Sequence, residues 1–107
     1  YAIYYDALRR RIEERGTRNF PEYQGKKLYG ELVMNVTVDV EGRVIDTEVV
    51  RPSSSKILDR RAVAIVKAAS PFGPFSGAMR RKADQLVITS RFKFTREDGL
   101  ETTLSAQ

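Results

Sequence analysis

The chain has 107 residues, 19 of them Lys or Arg and 14 Asp or Glu, and it contains no His, Cys or Trp. That length holds one domain at most, 41% apolar residues suffice for a modest core, and the net charge of +5 favours acidic partners without naming one. Without His or Cys there is no Ser-His-Asp or Cys-His nucleophile, no thiolate or imidazole zinc site and no disulfide, so the chain reads as a non-enzyme without a cofactor.

Tyr1 to Arg15 places Tyr1, Tyr4, Tyr5, Leu8 and Ile12 at the four-then-three spacing of one helical face, and Gly16 reads as the stop. Thr17 to Gly30 reads as an irregular surface segment. Pro21 holds Phe20 extended, and Phe20, Tyr23, Leu28 and Tyr29 are expected to pack back on the body. From Glu31 to Val40 the apolar residues Leu32, Met34, Val36, Val38 and Val40 alternate with more polar ones, which predicts a strand with one buried face. Glu41-Gly42 signals a tight turn, and Arg43 to Arg51 returns as the second arm of a hairpin. Val44 and Val49 fall on opposite faces of an ideal strand, so a bulge is expected there.

Pro52 to Ser55 ends that arm and offers Ser54 or Ser55 as a helix cap. Ile57 to Ala69 then lines up Leu58, Ala62, Ile65, Val66 and Ala69 on one helical stripe, and Pro71 closes it. Pro71-Phe72-Gly73-Pro74-Phe75 reads as a stiff linker stapled to the core by its two rings, followed by a polar stretch from Ser76 to Asp84. Gln85 to Thr95 is a third alternating strand, with Leu86, Ile88, Phe92 and Phe94 on one face. Residues 97–107 form a polar tail in which Leu100, Thr102 and Leu104 outline a weak extra strand. No internal repeat appears, and no apolar run approaches the roughly 20 residues of a membrane helix. The start at Tyr1 in mid-pattern reads as that of a fragment, with targeting and anchoring elements on preceding sequence.

These elements predict an α+β domain over residues 1–96, in the order helix, strand, strand, helix, strand. Three strands form a small antiparallel sheet with both helices on one face. The crossover helix lets strands two and three run parallel on either side of strand one. Strand three would then be an edge, a row of unpaired amides and carbonyls to which an extended peptide can add. The competing reading is an edge capped by the tail or by a second copy of the domain.

The remaining clusters read as structural. Asp39, Glu41, Asp46 and Glu48 belong to a solvated face or turn and make no calcium-loop spacing, so no metal site is expected. Glu13 and Glu14 look like surface i,i+4 partners of arginines. Arg9-Arg10-Arg11, Arg60-Arg61 and Arg80-Arg81-Lys82 come without an aromatic strand motif or a Gly-rich phosphate loop, so nucleic acid is not the expected partner.

Taken together, Gly30 to Asp39, Gly42-Arg43-Val44, Val49 to Ser54, Leu58 to Ala62, Pro71 to Phe75 and Phe92-Lys93-Phe94 resemble the TonB C-terminal domain family, over roughly Leu8 to Thr95. Phe20-Pro21 stands where that family has a Tyr-Pro element, and the stretch to Gly30 is about one residue shorter than its commonest pattern. The resemblance implies a TonB/TolA C-terminal-like fold in the periplasm of Gram-negative bacteria, tethered through a missing N-terminal membrane segment and energised there by ExbB and ExbD. It implies binding of the TonB-box peptide of outer-membrane transporters for siderophores or cobalamin along the last strand, here Leu86, Val87, Ile88, Thr89, Ser90, Arg91 and Phe92. Phe20, Pro21 and Gln24 would lie near the transporter contact, although Gly25 competes with Gln24 for the place of the family's box-recognition glutamine. A homodimer by strand exchange stays open. The alternatives are a TolA-like coupler, which the lack of Cys disfavours, and a small basic nucleic-acid-binding module.

Overall fold

Leu32, Met34, Val36 and Val38 are all buried, and their alternation with half-buried residues builds the central strand of the domain. The computed structural model describes residues 2–106. In chain order its elements are α1 (Ala2–Arg18), β1 (Glu22–Tyr23), β2 (Lys26–Lys27), β3 (Gly30–Asp39), β4 (Val44–Arg51), α2 (Lys56–Ala69), α3 (Gly77–Lys82), β5 (Gln85–Thr95) and β6 (Gly99–Ala106). The main sheet has the order β4-β3-β5-β6 with every neighbouring pair antiparallel, and β1 and β2 form a separate hairpin. Leu8 and Ile12 of α1 and Leu58, Ala62, Ile65, Val66 and Ala69 of α2 enter one core with Ile88, Phe92, Phe94 and Leu100 of the sheet.

The α+β class holds, and β4 and β5 flank β3 as the crossover required. The sheet, however, has four strands instead of three, because the tail continues the pattern. Leu100 is buried and Leu104 packs against the core, so residues 99–106 add to β5 as β6. Strand three is therefore not an edge over most of its length. Ile88 to Thr95 are paired to β6 on the side expected to be open.

Smaller differences have local causes. α1 runs past Gly16 to Arg18, and Gly16 is buried where a Cβ would collide with the Leu100 side chain. Its glycine serves a close approach, not a helix stop. Tyr1 lies outside the described residues. The irregular segment contains the β1–β2 hairpin, whose turn residues Gln24 and Gly25 have φ of 53° and 78°, the left-handed pair of a two-residue turn. Phe20 and Leu28 pack on the core as expected, whereas Tyr23 and Tyr29 are exposed. The polar stretch after Phe75 folds into α3, capped by Ser76, with Met79 buried.

Other readings hold. Ser55 caps α2, accepting from the Leu58 amide at 3.2 Å. Both rings of the linker are buried, and the Phe72 and Phe75 amides each donate at 2.8 Å, to the Gly42 and Val40 carbonyls. β4 bulges at Ile45 and at Val50, which lets Val44 and Val49 face Val38 and Met34 from one side of the sheet.

Candidate functional site

Leu86 to Phe92 all pair with β3, and from Ile88 onward the segment lies between β3 and β6, with Ile88, Ser90 and Phe92 buried and Arg91 exposed. On its β3 side the register is unbroken from Gly30↔Phe94 to Asp39↔Gln85. On the other side the described pairing stops at Ile88↔Ala106, so Gln85, Leu86 and Val87 have no β6 partner among the described residues. Beyond Ile88 access to this margin is decided by how firmly β6 is held.

The holding is uneven. The Leu100 amide donates to Thr17 Oγ1 of α1 at 3.2 Å, and the Thr102 amide donates to Glu13 Oε2 at 2.7 Å. Thr102 Oγ1 donates to the same carboxylate oxygen at 3.2 Å, while Arg9 donates to the other oxygen at 2.8 Å. These amides point away from β5 and toward the helix. In an antiparallel ladder the pointing alternates, so Glu101, Thr103 and Ser105 direct theirs at β5, and their partners Lys93, Arg91 and Thr89 direct theirs at β6. Leu100 fills the notch left by Gly16, and a Cβ on Gly99 would meet Thr17. From Thr103 onward none of these clamps recurs among the described residues. Leu104 is half-buried, and Thr103 and Ser105 are exposed.

Glu13 thus has a second task beyond the surface pairing its sequence position suggests. The i,i+4 spacing to Arg9 was legible, but the bond to Thr102 spans 89 positions and leaves no local trace. Glu14 behaves as expected, paired with Arg18.

Phe20 and Pro21 lie at the opposite end of β5 from the unpaired residues. The Phe20 ring meets Phe94 edge-on at 5.6 Å and Tyr29 at 5.6 Å, with Lys27 Nζ 5.9 Å from its centroid. Pro21 is buried, its carbonyl accepting from the Leu28 amide at 2.9 Å, and Gln24 is exposed at the tip of the β1–β2 turn. Eight residues separate Leu86 from Phe94, about 26 Å of extended chain at roughly 3.3 Å per residue. The residues expected near a transporter therefore cluster at one end of the strand, with the unpaired margin at the other.

The acidic hairpin has a structural explanation. Asp39 accepts from the Glu41 and Arg43 amides, both at 2.9 Å, and from Arg43 Nε at 3.1 Å. The Arg43 amide above all holds its carboxyl below the ordinary 3.8. No group of three or more carboxylates stands close enough to share a metal among the described residues. No helix among them is long and apolar enough to cross a membrane.

No curated protein and no solved structure matches the chain. The family described as Gram-negative bacterial TonB protein C-terminal matches residues 20–96, from the Phe20-Pro21 element through β5. That span takes in the hairpin, the crossover and the last core strand, so the chain belongs to the TonB C-terminal family, a non-enzymatic, transport-associated family of periplasmic energy-transducing domains that work with outer-membrane transporters.

Proposed function

We propose that this domain grips the TonB-box peptide of an outer-membrane transporter of the siderophore or cobalamin type by adding it as a strand to β5. Residues Leu86, Val87, Ile88, Thr89, Ser90, Arg91 and Phe92 would take the peptide. The observation that carries this reading is that the neighbour of β5 is thinly anchored over its far half, from Thr103 onward among the described residues. An incoming strand enters beside the start of β5. It then replaces β6 from its C-terminal end, exchanging Ser105 and Thr103 for its own backbone at Thr89 and Arg91. Main-chain hydrogen bonds supply the affinity, and the outward side chains Thr89 and Arg91 supply selectivity. The clamps at Leu100 and Thr102 limit how far the exchange runs. Phe20, Pro21 and Gln24 stand beyond that limit, where the transporter body would contact the domain.

Tension would enter from ExbB and ExbD through an N-terminal membrane segment and leave through the added strand. A pull along the strand loads its hydrogen bonds together, whereas a pull from one end breaks them in turn.

The test is a staple. Arg91 and Thr103 are directly opposed, and bonded pairs of that kind have Cα atoms about 5.5 Å apart, within disulfide range. With no native cysteine, Arg91→Cys/Thr103→Cys gives a single defined bridge. The oxidised protein is expected to bind a TonB-box peptide about a hundredfold more weakly than the reduced one. Equal binding in both states would show that the peptide does not replace β6.

A further inference from the structure

The outer surface of the two long helices carries a groove that strand addition does not use. Arg11, Arg15 and Arg18 follow one another along α1, Arg61 lines it from α2 above exposed Ala64 and Ala68, and Arg60 borders an adjoining recess with Tyr23 and Ile57. Spacings of four and three residues put the α1 arginines about 5 Å apart along the helix, one per turn.

The arginines carry the case. Arg9, Arg10, Arg43 and Arg80, elsewhere on the molecule, each pair with a carboxylate. In and beside the groove Arg15, Arg60 and Arg61 have no ion pair or hydrogen bond among the described residues. Arg11 donates only to the Ala69 carbonyl, at 3.4 Å, and Arg18 alone has a carboxylate, Glu14. With Lys27 at one end, six cations face two carboxylates, Glu14 and Glu22. Such a row repels itself, and three of its members have no polar partner among the described residues to offset that.

We propose that this groove binds an acidic α-helical segment of a partner protein. A channel between two packed helices is one helix wide, and a third helix settles into it at the usual 8–10 Å axial distance, roughly, when its floor is small. Carboxylates at i, i+4 and i+7 of that helix repeat the spacing of Arg11, Arg15 and Arg18, neutralising the first two and sharing Arg18 with Glu14. A lipid surface is flat and would meet the ridges of the helices, not the channel between them. The proposal stands apart from strand addition, because it uses no residue of β5 or β6, although its Lys27 end adjoins Phe20 and Pro21.

The experiment titrates the domain with a synthetic helical peptide bearing Glu at i, i+4 and i+7, and with a control of the same composition whose Glu residues are spread round the helix. Amide shifts are expected at Ala64 and Ala68, with the matched peptide binding about tenfold more tightly than the control. Arg15→Glu/Arg61→Glu should abolish those shifts, whereas Arg81→Glu/Lys82→Glu on α3, an equal change of net charge, should alter affinity by less than about twofold. Equal binding of the two peptides, or equal loss in the two variants, would reduce the groove to general attraction of anions and overturn the proposal. Shifts at Ala64 and Ala68 with phosphatidylglycerol vesicles but not with the peptide would overturn it in favour of a lipid surface.

Discussion

From Gly99 to Thr102, β6 is fastened to α1 by Thr17, by Glu13 and by Leu100 lodged over Gly16, while from Thr103 to Ser105 it has the ladder and one half-buried leucine. Both halves pair with β5 in the same antiparallel register, and a strand diagram would draw them alike. The difference shows that hydrogen-bonded pairing by itself says little about how easily a strand can be exchanged. The helix behind it sets the cost. The proposed exchange requires that a margin closed in the resting molecule open to a competitor from its thinly anchored end.

The largest effects should separate the two halves by the same substitution. Leu100→Ala removes a buried side chain that no neighbour can replace and is expected to cost about 3 kcal/mol in urea unfolding. Leu104→Ala, at a half-buried position, should cost roughly 1 kcal/mol or less and should strengthen box-peptide binding. Equal costs would erase the distinction between the halves. Glu13→Ala comes next, at about 1.5 kcal/mol, since the Thr102 amide and hydroxyl lose a charged acceptor. Its companion signature is faster amide exchange across the whole of β6.

Amide exchange in the unmodified protein sharpens the same point at lower energy. Glu101 and Ser105 both direct their amides at β5, yet Ser105 should exchange about a hundredfold faster, because its half can open alone. Protection equal at both sites would mean that β6 opens as one unit. The smallest effect concerns the other end of the sheet, where a carboxylate secures a turn instead of a strand. Asp39 has its pKa lowered in the folded state, so it binds protons less readily there than in the unfolded chain. Its contribution is complete above the ordinary 3.8 and is lost as the pH falls through the lower folded value. Asp39→Asn should flatten that acid limb of the stability curve, and what slope is left includes Asp6, whose pKa is lowered chiefly by its hydrogen bond to Arg9. An unchanged limb would leave the turn without this role.

Much of the scaffold could be read from local pattern. The alternation of Leu32 to Val38 gave β3, and the stripe from Leu58 to Ala69 gave α2 with its Ser55 cap. The two phenylalanines of the linker went inside as their context required. The missed pieces were short or depended on distant partners. The β1–β2 hairpin has two residues per strand, too few for a period, and α3 has a single buried residue, Met79, to mark its inner face. β6 was visible only as Leu100, Thr102 and Leu104, a weak alternation that says nothing about which edge it joins.

The site divides along the same line. The residue types along Leu86 to Phe92 and the Phe20-Pro21 element could be named from the sequence, because strand periodicity and family pattern are both written in consecutive residues. That the tail pairs with β5, and which half of it is fastened to α1, could not. Those depend on contacts between Thr17 and Leu100 and between Glu13 and Thr102, 83 and 89 positions apart. Local sequence sets backbone propensity and the face each side chain takes. Only the folded chain decides which distant group reaches an exposed amide first.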